Sequence, residues 1–134
     1  MTEFQKEKVE EFLTSIVSCE GHSESEFHHG DCVGVDTEAA EFARRLGYKI
    51  HCHPPIKDDL RVFFPHNNMV YEAKSHFARN RSIVDSVDIL IVVPYQMEHQ
   101  TNGGTWYTYD YAKKRKVMTK IFFPRDELLL VDVV

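Results

Sequence analysis

The unbroken apolar run Ile89-Leu90-Ile91-Val92-Val93, entered through Val87-Asp88 and closed by Pro94, constrains the fold more than any other stretch. A half-buried strand alternates polar and apolar residues, so a run without alternation is what a parallel strand buried on both faces needs. Helices must cover both faces of such a strand, and helical patterns flank it at residues 74–86 and 106–116. A second parallel strand is expected over 117–123, after the last of these helices.

The preceding sequence repeats that alternation. Thr2-Glu3-Phe4-Gln5 reads as a capping box, and Val9, Phe12, Leu13, Ile16 and Val17 follow at helical spacing, which predicts an amphipathic helix over 2–18. A polar stretch leads to a short extended segment at Phe27-His28-His29. Asp36 is placed to cap a helix reaching about Leu46, whose thin face of Ala39, Ala40 and Ala43 suits close packing on a sheet. Residues 48–53 read as a strand ended by Pro54-Pro55, and an irregular region is expected to about Val70. The expected fold is α/β: a Rossmann-like three-layer domain with a mainly parallel sheet. Its 134 residues, 43% hydrophobic, suffice for one core, so residues 1–134 are read as a single domain.

Charge and composition exclude several functions. A formal net charge of -5 opposes coating of nucleic acid, because that mode needs a basic face to displace phosphate counterions. Arg44-Arg45 and Lys113-Lys114-Arg115-Lys116 fall near expected helix C-termini, where cations complement the helix dipole. No apolar stretch approaches the roughly 20 residues that span a bilayer, and the first residues are polar, so no membrane partner and a cytoplasmic location are expected. Cys19, Cys32 and Cys52 are an odd number without regular spacing, which fits reduced thiols.

Two glycine-bearing turns stand where an extended segment gives way to a helix: His29-Gly30-Asp31-Cys32-Val33-Gly34-Val35-Asp36 and Asn102-Gly103-Gly104-Thr105-Trp106. Glycine lets backbone approach a ligand, and the free N–H groups of a helix's first turn favour anions. Two such turns suggest a nucleotide pocket. In sequence order, Phe27-His28-His29-Gly30-Asp31-Cys32-x-Gly34-x-Asp36, His53-Pro54-Pro55, Arg79-Asn80-Arg81-x-Ile83-Val84, Asp88 and Gly103-Gly104-Thr105-Trp106-x-Thr108 resemble the SLOG superfamily. The resemblance is to its small single-domain bacterial and phage members; the superfamily also holds a DNA-processing protein of natural transformation and the LOG phosphoribohydrolases. It implies a Rossmann-like fold that binds nucleotides or nucleotide-derived ligands, and no particular reaction.

The chain departs from that pattern twice. Relatives open with an apolar strand ending in a Thr-Gly-x-Arg-like turn, a strand normally central in the sheet, whereas here the first helix begins almost at Met1. Either Met1 is an internal start of a longer product, or the apolar residues 128–134 supply a replacement strand. LOG enzymes also carry Gly-Gly-x-Gly-Thr-x-x-Glu, and Thr108 stands where the catalytic glutamate is expected. Threonine can hold a phosphate or ribose hydroxyl but cannot act as a general base. Asp110, about 200° further around a helix, is badly placed to substitute.

The ligand-binding candidates are Gly30, Asp31, Cys32, Gly34, Asp36, Arg79, Asn80, Gly103, Gly104, Thr105, Trp106 and Thr108. Gly103-Gly104-Thr105 is the expected phosphate turn. Asp31 is expected to face the ligand, and Asp36 to cap its helix. The resemblance makes Arg79, ahead of Arg81, a phosphate clamp, against the plainer reading of a solvated or carboxylate-paired arginine. Trp106 either stacks on a base or faces the core. His28, His29, Cys32, His51, Cys52 and His53 gather on adjacent strands, where alternation sends His51 and His53 to one face and His28 opposite to His29; a mixed set such as His29, Cys32 and His53 stays open, but the resemblance already accounts for those three without metal, so none is expected. No cofactor is expected.

These readings converge on sensing or sequestration of a nucleotide or an ADP-ribose-like molecule. The enzyme alternative is LOG-like cleavage of a nucleoside 5′-monophosphate, with Asp31 or Asp36 as the catalytic carboxylate. Phe63-Phe64 and residues 128–134 are candidates for pairing subunits in a homo-oligomer.

Overall fold

The computed structural model describes residues 1–19, 24–57, 59–101 and 103–125. Its elements are α1 (Glu3–Ser18), β1 (Glu26–His29), α2 (Val35–Arg45), β2 (Lys49–Cys52), β3 (Met69–Val70), α3 (His76–Ser86), β4 (Ile89–Val92), α4 (Gly104–Lys114) and β5 (Met118–Ile121). The fold is thus mixed α/β, with short parallel strands. Helix α4 starts two residues before the expected Trp106, and β3 is a pairing inside the stretch expected to be irregular.

The strands do not form one sheet among the described residues. They form two, in the orders β1-β2-β3 and β4-β5, and every pairing is parallel. The expected single sheet is interrupted between β1 and β4. Residues 128–134, the expected replacement strand, lie outside the described residues.

Alternation along β4 shows why its sequence is apolar throughout. Ile91 and Val93 join a core built on Val9, Leu13, Ala39, Ala40, Ala43 and Ile50, beneath α1 and α2. Leu90 and Val92 join a second core with Val84 and Ala112, beneath α3 and α4. The β1–β3 sheet is different, because Phe27 and Ile50 enter the first core while Glu26, His28 and His51 occupy the opposite face.

Helix α1 ties the two sheets together. Its capping box forms as read: Thr2 Oγ1 accepts from Gln5 N at 3.0 Å and Gln5 Oε1 accepts from Thr2 N at 2.9 Å. The buried Gln5 side chain also donates from Nε2 to the carbonyls of Pro94 (2.8 Å) and Phe122 (3.0 Å), at the ends of β4 and β5. On the other side, Tyr48 Oη donates to Leu13 O at 2.6 Å, anchoring the start of β2. No helix among the described residues is long and apolar enough to cross a membrane.

Candidate functional site

A groove runs between the facing edges of β1 and β4. Its larger part has a volume of about 670 Å³ and is walled by apolar side chains including Leu13, Phe27, Ile89 and Ile91. A second part of about 270 Å³ lies at the C-terminal ends of the strands and is lined by Gly30, Cys32, Asp36, Asn80, Gly104, Thr105 and Thr108. His28, Ile83 and Ile91 line both, so the two are continuous. The chain leaves β1 through α2 toward β2 and leaves β4 through α4 toward β5, in opposite directions. The crevice outside the carboxyl ends of parallel strands, where connections diverge, is the ligand position that open α/β sheets favour.

The first glycine turn is closed upon itself. Gly30 N and Cys32 N both donate to Asp36 Oδ2, at 3.1 and 3.2 Å, Asp31 N donates to His29 Nδ1 at 3.0 Å, and Val33 N donates to Leu60 O at 3.0 Å. These four amides therefore have protein acceptors, which leaves only the amides of the first turn of α2, Val35 and Asp36 among them, without an acceptor among the described residues. The expectation that Asp36 caps its own helix is corrected as well: Gly34 is the N-cap of α2, and Asp36 reaches back to hold the turn that precedes it.

Asp31 is fully buried and turned away from the groove. Its Oδ2 accepts from Arg61 Nε at 2.7 Å and Phe63 N at 3.0 Å, and its Oδ1 accepts from Phe64 N at 2.8 Å. The carboxylate organises the loop that crosses over β1 and β2. Fully buried and held by three donors off the groove lining, the carboxylate is out of reach of a substrate proton there.

Arg79, expected as a phosphate clamp, is buried against protein instead. Nη1 donates to Gly30 O at 2.5 Å and His53 O at 3.2 Å, Nε donates to Asn80 Oδ1 at 2.7 Å, and Nη2 lies 3.1 Å from His76 Nδ1 and 3.6 Å from Cys32 Sγ. A Cβ at position 30 would collide with that guanidinium, so Gly30 makes room for Arg79 rather than for a ligand. Arg81 donates to Tyr107 Oη at 2.8 Å.

The second turn is open. Gly103, at φ 103°, is the N-cap of α4 and no side chain among the described residues caps the helix there. That backbone angle is one that glycine adopts without the penalty a side chain brings. No described residue accepts from the amides of Gly104, Thr105 or Trp106, while Gly104, Thr105, Thr108 and Asn80 face the groove. Asn80 spends its oxygen on Arg79, and its Nδ2 is turned toward Gly104. Thr108 Oγ1 donates to Gly104 O at 2.8 Å. Trp106 takes the core alternative: it is buried, with Nε1 donating to Gln96 Oε1 at 3.1 Å. Asp110 pairs with His99 at 2.7 Å on the exposed side of α4.

Of the expected residues, then, the structure brings Gly30, Cys32, Asp36, Asn80, Gly104, Thr105 and Thr108 to the groove, and leaves Asp31, Gly34, Arg79, Gly103 and Trp106 off its lining. The apolar contributors Ile83, Ile91 and Val93 and the mouth residue Tyr95 were missed. The period-2 pattern of β4 was the available signal for Ile91 and Val93; the edge they face depends on which strands pair.

No protein-family model matches the chain, and no curated protein matches it. A solved structure similar to part of it is an ABC transporter substrate-binding protein from Desulfitobacterium hafniense in complex with Leu, at 15% identity and a TM-score of 0.29. That match covers 95% of this chain and 38% of the other, so the chain spans well under half the length of that protein. A score that low carries no argument about fold or ligand.

Proposed function

We propose that this chain is a Rossmann-like, SLOG-type protein that binds a nucleotide or an ADP-ribose-like derivative for sensing or sequestration. One observation carries the proposal. At the point where the chain turns in opposite directions from β1 and β4, the uncapped first turn of α4 opens onto a groove whose two continuous parts have volumes of about 270 and 670 Å³. In this reading the amides of Gly104, Thr105 and Trp106 take the phosphate, Asn80 Nδ2 and the Thr105 hydroxyl add donors beside it, and the apolar wall at Ile83 and Ile91 takes the base. The first turn, fastened by Asp36, shapes the opposite rim.

The same geometry favours binding without turnover. Asp31 is held by three donors, Asp36 Oδ2 by two amides, and Thr108 has no proton-accepting charge. Asp36 Oδ1, on the groove lining, is the remaining candidate carboxylate for LOG-like cleavage, and the tie of that side chain to its own turn favours binding over turnover. A thermal-shift panel of AMP, ADP, ADP-ribose and inorganic phosphate, with chromatography for released base, tests both parts. A ligand at 100 times its dissociation constant should stabilise the protein by about 2.7 kcal/mol. The expected result is stabilisation by a phosphate-bearing nucleoside with no free base formed. Catalytic release of base would overturn the binding-only reading; failure of every compound to stabilise would overturn nucleotide binding.

A further inference from the structure

The face of the β1–β3 sheet turned away from the first core carries a cluster of imidazoles and a carboxylate that borders the larger part of the groove, where Glu26 and His28 line it. Parallel register sets His28 beside His51 and Glu26 beside Lys49, so Glu26, His28 and His51 share this face. Glu26 Oε1 lies 2.9 Å from His28 Nε2 and 3.6 Å from His51 Nε2, and the ligand atoms of all three fall within 4.8 Å of one another. Two nitrogens and a carboxylate oxygen around a tetrahedral zinc ion are separated by about 3.3 Å, given metal–ligand bonds of about 2.0 Å. Glu26 is half exposed and can adjust; the imidazoles are nearly buried and held.

The far nitrogen of each imidazole is held in place. His28 Nδ1 lies 2.8 Å from His53 Nε2, and His51 Nδ1 lies 2.8 Å from Tyr71 Oη. The His28 and His51 rings stack with centroids 4.5 Å apart, as do those of His53 and Tyr71 at 4.4 Å. Partners on the distal nitrogen are what fix the orientation and tautomer of a metal-ligating histidine.

We propose that Glu26, His28 and His51 form a binding site for a divalent transition cation of the zinc type, with His53 and Tyr71 as positioning residues. Two imidazoles and one carboxylate leave further coordination positions to water, and this donor set favours zinc or cobalt over magnesium. The other histidine-bearing group, His29, Asp31 and Cys52, makes no competing site. Both nitrogens of His29 are engaged, by Asp31 N and Asn67, and the Asp31 carboxylate already accepts from Arg61 Nε, Phe63 N and Phe64 N.

The test is calorimetric titration of the chelator-treated full chain with zinc chloride, followed by the visible spectrum of the cobalt-loaded protein. One zinc ion per chain is expected, together with a cobalt spectrum free of any thiolate charge-transfer band. Glu26→Gln and His51→Ala should each weaken zinc binding by about 100-fold, and Tyr71→Phe, which keeps the ring, by about 10-fold. The control His99→Ala should leave it unchanged. Circular dichroism confirms that each variant is folded; the exposed Glu26 guards against loss by misfolding alone. The proposal is overturned by absence of saturable zinc binding, by full affinity in Glu26→Gln and His51→Ala, or by loss of binding in Cys52→Ser with a thiolate band in the cobalt spectrum. Because Glu26 and His28 also line the groove, zinc is titrated into nucleotide-free protein and nucleotide into metal-free protein, so that failure of one is distinguished from failure of the other.

Discussion

At the residue scale, the chain uses its most conspicuous charged groups as scaffolding. Asp31, Asp36 and Arg79 sit in the motif that resembles a ligand site, yet each spends its charge on backbone and side-chain groups of the same protein. Their types and positions were legible from sequence; their partners were not. The donors to Asp31 come from Arg61, Phe63 and Phe64, some thirty positions away in an irregular loop that no periodicity describes. Asp31→Asn replaces an acceptor-only group with one that presents two donors to those N–H groups, so it should destabilise by about 3 kcal/mol. Urea unfolding measures this. An unchanged midpoint would contradict the structural role. Phe63 and Phe64, read together as an oligomer contact, also separate: Phe63 is exposed beneath the Arg61 guanidinium and Phe64 is buried.

At the scale of elements, legibility followed the strength of the local pattern. The helix over 2–18 was readable because the Thr2–Gln5 box and its apolar stripe agree, and the β4 run because both faces of that strand meet a core. Strand β3 was unreadable, since two residues paired to β2 leave no period to detect. The second role of Gln5 was hidden as well, because a capping-box glutamine gives no sign that its amide also bridges two strand ends. Gln5→Leu should cost more than the loss of a cap alone, which is about 1 kcal/mol, because the carbonyls of Pro94 and Phe122 lose a buried donor each. A total near 3 kcal/mol in chemical denaturation is expected. A cost equal to that of Thr2→Ala would show that the bridge contributes nothing.

At the scale of the whole molecule, the central feature is the interval between β1 and β4. Hydrogen bonds from His53 N and Phe122 N place the carbonyl of His29 toward β2 and that of Val92 toward β5, so alternation turns the backbone groups of His28 and Ile91 into the groove. The sequence made the parallel strands legible one by one, through the apolar run of β4 and the glycine turns that follow β1 and β4. It could not show that these strands would pair as two separate sheets, since pairing is a non-local property. The groove thus joins an apolar wall, backbone edges and the open turn of α4, and the proposed ligand position rests on that conjunction.

The most direct measurement is an amide-resolved NMR titration of the protein with ADP-ribose, with AMP in parallel. Saturable shifts at the amides of Gly104, Thr105 and Trp106 are expected, with Gly30 and Cys32, whose protons are committed to Asp36, moving little. Saturation that leaves the α4 amides unmoved and instead displaces those of residues 30–33, or no saturation at all, would contradict the account.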